Sequence, residues 1–353
     1  MVVQPPKKEF IPWADLIRVV ATVLVVVVHV SGQITNAWGE APNGWWFIAN
    51  IYGGIARICV PLFFMISGYL LLPRSESLGT FYRKRISKVL IPLIVWSLIY
   101  LGWFCNNHPG TCTPPLIQDM LLVRGAYYHL WFLRALLGIY LSLPVLRLMV
   151  QPDADRKILW YLIGLWLVFQ TGLTLAKQFW GFQLGLNVPL ATGFLGFFIL
   201  GYLLGTWSLS RVTIIFSALV WVLGTLATII GTYLMTQYSG TFEGFFYDFT
   251  SLNVILASAA AFLLLRWLSE TEVFTSPQVH NVIRWIASGS FGIYLIHILV
   301  IEVLQSKIPG FHLDTFVGNP LWSIPLVTVM VFILSLAITR VLQKVPIVQR
   351  IIP

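Results

Sequence analysis

Charged residues are scarce in this chain: they make up 10% of its 353 residues, whereas hydrophobic residues make up 58%. A soluble globular domain usually has about 25% charged and about 45–50% apolar residues. A water-soluble fold cannot hide so much apolar surface, but lipid can solvate it. The shortage of charge therefore excludes an ordinary soluble domain and predicts an integral membrane protein.

Cysteines are also few. The chain has three, and none are spaced as in a CxxC motif, so we expect no metal site. Cys105 and Cys112 enclose a Pro109-Gly110 turn, which brings its flanks together and permits a disulfide. A free pair is the alternative, because Cys105 lies at the end of a predicted helix, from which its side chain can point into the bundle.

Acidic residues number 13 against 22 Lys and Arg, which gives a formal net charge of +9. Such a charge can indicate a nucleic-acid partner. The basic residues lie between apolar stretches, however, where cytoplasmic loops collect Lys and Arg. We therefore expect membrane lipid and no nucleic acid as a partner. The first apolar stretch is long enough to remain as a helix, so we expect no cleavable signal peptide.

Ten apolar stretches approach the roughly 20 residues that a helix needs to cross the hydrocarbon core. They predict an all-α integral membrane fold, a single domain over residues 1–353, with helices near 13–34, 46–72, 87–106, 127–149, 158–176, 189–208, 212–236, 249–268, 281–305 and 320–343. With the N-terminus inside, 17 of the 22 Lys and Arg residues fall on the inner side. This bias predicts cytoplasmic N and C termini in a multi-pass protein of the inner or plasma membrane.

Polar residues form a stripe on the first predicted helix. Arg18 and His29 are three turns plus about 20° apart, so both side chains share one face, about 16 Å apart along the axis. Asp15 lies near the same stripe. Histidine suits proton transfer near neutral pH, so His29 is a candidate catalytic base. The alternatives are a packed, hydrogen-bonded His29 and an Asp15–Arg18 ion pair that only reaches the inner interface.

Further ionisable residues lie within later spans, where each is costly and therefore a functional candidate. Arg57 in an apolar helix requires an anion, a carboxylate or a carbonyl as partner. His129 and Trp131 lie at the outer interface, where an aromatic belt is normal, but Arg134 lies one turn deeper. His297 falls mid-membrane. Together these residues predict a polar cavity that binds substrate or stabilises an oxyanion.

A cluster of basic residues precedes the third predicted helix. Arg83, Lys84, Arg85 and Lys88 fall within six residues. Anchoring on the cytoplasmic side accounts for one or two of these charges. The cluster can equally bind a phosphorylated ligand, since Arg and Lys are natural phosphate binders. Spacing alone leaves both interpretations open.

Five segments in order resemble the acyltransferase-3 family of membrane O-acyltransferases, most closely the branch that modifies surface polysaccharides. They are the Arg18–His29 spacing, VPLFFMISGYLLL at 60–72, RKRISKVLIP at 83–92, HLWFL at 129–133 and SFGIYLIH at 290–297. Each segment is unspecific by itself. Together they span nearly the whole chain, in the expected order.

The resemblance implies acyl transfer from cytoplasmic acyl-CoA, such as acetyl-CoA, to a hydroxyl of a carbohydrate or lipid-linked glycan. It implies that His29 is the essential histidine and Arg18 its partner, and that Arg85 and Lys88 occupy an Arg-x-x-Arg motif that meets the acyl donor. Lys88 departs from that motif, which removes a bidentate phosphate contact. Arg134 stands where other branches often have an acidic residue, which affects the class of acceptor.

Two other classes of protein remain to be weighed. A transporter or flippase for a polysaccharide precursor or small polar solute also has polar groups at mid-membrane. It usually has broken helices and internal repeats, which this sequence does not suggest. A structural scaffold leaves the His and Arg pattern unexplained. His29-dependent release of CoA from acetyl-CoA distinguishes the enzyme from both.

Overall fold

The computed structural model describes residues 11–151, 154–185, 193–306 and 311–352, and these residues form helices joined by loops. The all-α prediction is confirmed. The first eight α-helices are α1 Pro12–Thr35, α2 Asn43–Ala56, α3 Cys59–Leu71, α4 Leu78–Phe81, α5 Ser87–Asn107, α6 Pro114–Leu122, α7 Trp131–Leu146 and α8 Lys157–Trp166. The remaining helices are α9 Leu173–Trp180, α10 Leu195–Gly205, α11 Arg211–Ser239, α12 Leu252–Leu268, α13 Glu272–Thr275, α14 Pro277–Ala287, α15 Ser290–Ser306 and α16 Pro320–Leu342.

Eight helical segments of the described residues are long and apolar enough to cross a membrane, and α14 with α15 makes a ninth. The membrane-protein prediction is therefore confirmed. The sixth predicted span, 189–208, corresponds to the shorter helix α10, and its residues 189–192 lie outside the described residues. Among the described residues, eight long apolar segments, the bent pair of α14 and α15, and the shorter helix α10 thus correspond to the ten predicted spans.

The ninth predicted span differs in shape from the expectation of one straight helix over 281–305. The structure has two helices, α14 and α15, which meet at 57°. Ser288 ends α14 and its hydroxyl donates to the carbonyl oxygen of Trp285, and Gly289, a poor helix former, follows. The bend brings Ser288 and Ala287 to the wall of a cavity inside the bundle.

A second break separates α2 from α3. Pro61 lacks the N–H that would bond to the carbonyl of Arg57, four residues earlier, so one helical hydrogen bond is missing at this point. Arg57 and Ile58 form the turn between the two helices. The break therefore places the Arg57 guanidinium at the inner wall of the bundle rather than along a regular helix face.

Glycines allow α3 and α10 to pack backbone against backbone. A Cβ atom at Gly68 would lie 1.8 Å from the carbonyl oxygen of Phe198, and one at Gly201 would lie 2.0 Å from that of Met65. Neither position tolerates a side chain. Small residues of this kind drive close helix association in membranes, and this contact fixes the wall that α3 presents to α1.

Helix α1 lies at the centre of the bundle. It packs against α2, α3, α12, α14, α15 and α16. Its residues Ile17, Ala21, Val26 and Val30 are completely buried. The helix is consequently surrounded by other helices along much of its length, and Asp15, Arg18 and His29 of its polar stripe are partly buried.

Cys105, in the last turn of α5, forms a disulfide with Cys112. Gly110 between them has φ +85°, a left-handed conformation that glycine adopts readily, and this produces the expected turn. The Cα atoms of the two cysteines are 5.7 Å apart, within the normal range for a disulfide. Cys59 is buried in α3 and has a free thiol.

We expect thiol alkylation of the denatured, unreduced protein to modify one cysteine, Cys59. After reduction, all three should be modified. The adduct count by intact mass checks this expectation. Three adducts without prior reduction would show that the Cys105–Cys112 bond does not form in the cell.

Candidate active site

Three histidines from separate segments meet inside the bundle. His29 comes from α1, His129 from the turn before α7, and His297 from the middle of α15. The ring centroids of His29 and His297 are 5.1 Å apart, and those of His129 and His297 are 5.5 Å apart. His129 and His297 are buried. We call this group, with the space beside it, the histidine cavity.

The hydrogen bonds of these histidines are incompletely satisfied within the described residues. Nδ1 of His297 contacts the backbone carbonyls of Ile293 and Tyr294, but its Nε2 is buried without a partner. Both ring nitrogens of His129 are likewise buried without a partner. Buried polar atoms are normally hydrogen-bonded. Three unpaired nitrogens at one cavity therefore indicate a site that receives polar groups from a ligand.

Arg57 supplies a positive charge to the same cavity. Its guanidinium carbon lies 4.1 Å from the centroid of the Tyr247 ring, and the Tyr247 hydroxyl donates to the side-chain oxygen of Asn50, 2.7 Å away. Among the described residues, Arg57 makes no ion pair, and its Nε is buried without a partner. The guanidinium thus lies against an aromatic face, within electrostatic range of Asp248 but with no direct ion pair among the described residues.

The histidine cavity has a volume of about 170 Å³. Its lining combines the polar groups His29, Arg57 and His129 with aromatic and aliphatic side chains: Val25, Val28, Cys59, Val60, Phe63, Trp131, Phe132, Phe249 and Tyr294. Trp131 lies against Phe249, with ring centroids 5.8 Å apart. A largely apolar pocket with a few convergent polar groups is the usual form of an active site.

Two larger cavities adjoin it and share lining residues in turn. A middle chamber of about 410 Å³ shares Phe63, Phe132 and Tyr294 with the histidine cavity. A basic chamber of about 610 Å³ shares with the middle chamber the residues Arg18, Ser67, Arg85, Tyr140, Ala287 and Ser288. The three cavities form a series that begins at the end of the bundle near the start of α1 and leads to His29.

The basic chamber carries an excess of positive charge. Arg18, Arg74, Arg85 and Arg284 line it, together with a single acid, Asp15. Burial, and next the neighbouring Arg85 guanidinium, lower the pKa of Arg74. Such crowding of cations is costly unless an anion relieves it. The chamber therefore fits a ligand with several negative charges.

Two acids, Asp15 and Glu76, partly neutralise the cations of this chamber. Arg18 donates to Asp15 at 2.6 Å. Glu76 pairs with Arg85 at 3.4 Å and with Arg147 at 3.5 Å, and Arg147 also donates to the carbonyl oxygen of Leu71 at 3.1 Å. Glu76 therefore occupies a donor of Arg85 that an incoming anion would otherwise use.

The structure separates the sequence-predicted residues into three groups. His29, Arg57, His129, Trp131 and His297 meet at or beside the histidine cavity. Asp15, Arg18 and Arg85 line the basic chamber, and Lys88 the middle chamber. Arg18 is thus associated with the chamber and lies about 16 Å along α1 from His29.

Arg83 and Arg134 lie elsewhere. Arg83 is exposed and does not line the three cavities. Arg134 donates to the carbonyl oxygens of Val123 at 2.9 Å and Arg124 at 2.7 Å, and packs over Gly125, where it fixes the segment after α6. These hydrogen bonds explain why an arginine is present at position 134, one turn deeper than His129 and Trp131.

Sequence reasoning missed several residues of the site. Tyr294 lies one turn before His297, separates the histidine cavity from the middle chamber, and donates to the carbonyl oxygen of His129 at 2.7 Å. Its i,i+3 spacing from His297 was the available signal. Tyr128, 5.4 Å from the ring of His29, and Glu76 carried no pattern that distinguished them.

Comparison with known proteins agrees with this geometry. A family model described as an acyltransferase domain matches residues 11–340. The chain belongs to this family, the acyltransferase-3 family, and its long apolar helices make it a multi-pass membrane protein.

Two characterised relatives share part of the chain. An amino-acid racemase of Enterococcus faecalis is 33% identical over 135 residues, which are 36% of this chain and 17% of that protein. A serine/alanine racemase of Enterococcus gallinarum is 28% identical over 163 residues, which are 44% of this chain and 22% of that protein. The match thus covers about a fifth of each relative's length. No solved structure matches the chain.

Proposed function

We propose that this protein is an O-acyltransferase of the cell envelope. It moves an acyl group, acetyl in the simplest case, from cytoplasmic acyl-CoA to a hydroxyl of a surface carbohydrate or lipid-linked glycan. The observation that carries the proposal is the series of cavities from the basic chamber to the histidine cavity. A charged donor with a long, thin arm requires such an arrangement.

The donor enters from the basic chamber in this proposal. The phosphates of CoA lie on Arg18, Arg74 and Arg85, where guanidinium groups form charge-assisted hydrogen bonds with phosphate oxygens. The pantetheine arm passes Lys88 in the middle chamber and brings the thioester past Tyr294 to His29. The chamber faces the cytoplasm in the inner or plasma membrane, as the distribution of Lys and Arg predicts.

The chemistry converts a thioester into an oxygen ester. His29 accepts the proton of the acceptor hydroxyl while its oxygen bonds to the thioester carbonyl carbon. Arg57 stabilises the negative charge that develops on the carbonyl oxygen. The carbon–sulfur bond then breaks, and the leaving CoA sulfur takes the proton from His29. The acceptor glycan approaches past Trp131 and Tyr128, whose ring is 58% exposed.

The test is CoA release by the purified protein supplied with acetyl-CoA and envelope glycan, combined with mass analysis of the glycan. An acyltransferase releases CoA and adds 42 Da (about the mass of one acetyl group) per modified hydroxyl only when both substrates are present. A transporter or flippase would release no CoA and leave the glycan mass unchanged.

Arg85→Ala and Lys88→Ala should each weaken acetyl-CoA binding about tenfold or more, because contacts with charged groups contribute about 1.5–3 kcal/mol. The loss should shrink at high ionic strength, where salt already screens the wild-type contacts. Arg83→Ala is the matched control, since it removes an exposed cation of the same cluster outside the cavities. If the Arg85→Ala/Lys88→Ala protein binds acetyl-CoA as tightly as the Arg83→Ala control, the basic cluster does not bind the donor. Its charges would then serve only to orient the chain in the membrane.

Glu76→Gln should have the opposite effect on donor binding. It removes the carboxylate that pairs with Arg85 and Arg147 and so frees a cation for the CoA phosphates. We expect acetyl-CoA affinity to rise severalfold at low salt, measured by titration. Weaker binding in this variant would indicate that Glu76 orients Arg85 for the donor instead of competing for it.

A further inference from the structure

The orientation of His297 is set by its own helix. Nδ1 lies 2.7 Å from the carbonyl oxygen of Tyr294 and 3.1 Å from that of Ile293. A carbonyl oxygen only accepts hydrogen bonds, so Nδ1 carries a proton and donates it to these oxygens. In a neutral imidazole the other nitrogen, Nε2, is then an acceptor.

His297 is fully buried, and the adjacent ring of His29 lines a cavity that also contains a positive charge. No Asp or Glu is among the described residues that line the histidine cavity, and the Arg57 guanidinium lies in it. A second cation there is disfavoured by burial and by like charge, so His297 is neutral. A neutral His297 has no proton on Nε2 to offer a developing oxyanion. In this orientation His297 is suited to accept a hydrogen bond and not to polarise a carbonyl, the role for which the sequence made it a candidate.

The unpaired Nε2 requires a hydrogen-bond donor. It is buried without a partner among the described residues, and the nearest histidine ring is that of His29, with centroids 5.1 Å apart. Two imidazoles joined by an N–H···N hydrogen bond of about 3 Å have ring centroids about 5 Å apart. The observed separation therefore fits a hydrogen bond between these rings after a small rotation of either side chain.

We propose that His297 is a positioning residue for His29. Its Nε2 accepts a hydrogen bond from one ring N–H of His29, which leaves the other ring nitrogen of His29 unprotonated and directed at the acceptor hydroxyl. A base held by a third group is the general arrangement of nucleophile-activating sites, where a carboxylate usually fills this role. Here no carboxylate is among the described residues that line the cavity, and a neutral imidazole takes its place.

The proposal rests on the acyl transfer proposed above. When His29 takes the hydroxyl proton, the imidazolium keeps its hydrogen bond to His297. When the CoA sulfur leaves, the proton passes from His29 to the sulfur. Nε2 of His297 carries no proton at the beginning or the end of the cycle. His297 therefore exchanges no proton, and the transfer balances between the hydroxyl, His29 and the CoA sulfur.

Two substitutions separate positioning from packing. His297→Gln retains an amide oxygen at the reach of Nε2, whereas His297→Leu has similar bulk and no acceptor. We expect His297→Leu to lower kcat about 10–100-fold, the usual loss when a supporting hydrogen bond is removed, with KM for acetyl-CoA unchanged. His297→Gln should recover most of that loss. His312→Gln, in an exposed outer loop, is the control histidine.

The double variant completes the test. His297→Leu should cause no further loss in a His29→Ala background, because residues that act as a unit are not additive. The inference is wrong if the two losses multiply, or if Gln and Leu at position 297 are equally impaired while thermal unfolding and acetyl-CoA binding match the wild type. Failure of the wild-type protein to release CoA would instead refute the proposed function.

Discussion

His29→Ala is expected to lower the rate of acyl transfer about 10²–10⁴-fold, because a positioned acid–base group contributes about that factor. Folding and membrane insertion should be preserved, since Ala is at least as compatible with a helix in lipid as His. CoA release from acetyl-CoA in the presence of glycan acceptor measures the rate, and thermal unfolding in detergent checks the fold.

His29→Gln makes this test specific. Gln keeps a hydrogen-bonding group of similar reach but does not titrate near pH 7. It should therefore be nearly as impaired as the Ala variant. His108→Gln, which changes an exposed histidine of the outer loop, is the control and should retain full activity. Near-normal turnover by His29→Gln would mean that His29 is not the base.

Arg57→Gln is expected to lower kcat about 10²–10³-fold, the usual effect of removing one oxyanion-stabilising group. The guanidinium has no ion-pair partner among the described residues, so its charge is available to the transition state. Acetyl-CoA binding should change little, because the basic chamber, where we propose that the phosphates bind, lies at the other end of the cavity series. Steady-state kinetics with donor and acceptor varied separately measure both effects.

Two further variants define the role of Arg57. Arg57→Lys keeps the charge but loses the planar fork and its stacking on Tyr247, so we expect an intermediate rate. Arg124→Gln, at an exposed arginine of the outer segment, is the matched control. Arg57 has no part in the transition state if Arg57→Gln lowers acceptor affinity and leaves kcat intact.

The sequence carried most of the evidence for the membrane fold. Hydropathy over stretches of about 20 residues is a local property, so the long apolar helices follow from composition and order alone. Interruptions within the predicted membrane helices were harder to locate from the sequence. The second span was predicted as one helix over 46–72, without the turn at Arg57 and Ile58. The 57° bend between α14 and α15 depends on a Ser288–Gly289 pair that is unremarkable in sequence.

Arg18 and His29 of α1 show what the sequence could not predict about the site. Helical geometry correctly placed Arg18 and His29 on one face, about 16 Å apart. The spacing alone did not show which residues of other helices lie beside Arg18 and His29. The structure associates Arg18 with Arg74 and Arg85 around one chamber, and His29 with His129 and His297 around another cavity.

Sequence alone determined that this is an all-helical membrane protein, which residues are costly to bury in it, and which family its motifs resemble, because all three depend on local composition and spacing. Only the tertiary structure decided that three histidines meet, that Arg134 stabilises a loop outside the cavity, and that Glu76 pairs with Arg85. Lipid gives every apolar helix face nearly the same solvation, so hydropathy does not select neighbours. Close packing at small residues such as Gly68 selects them, and it joins helices far apart in the chain.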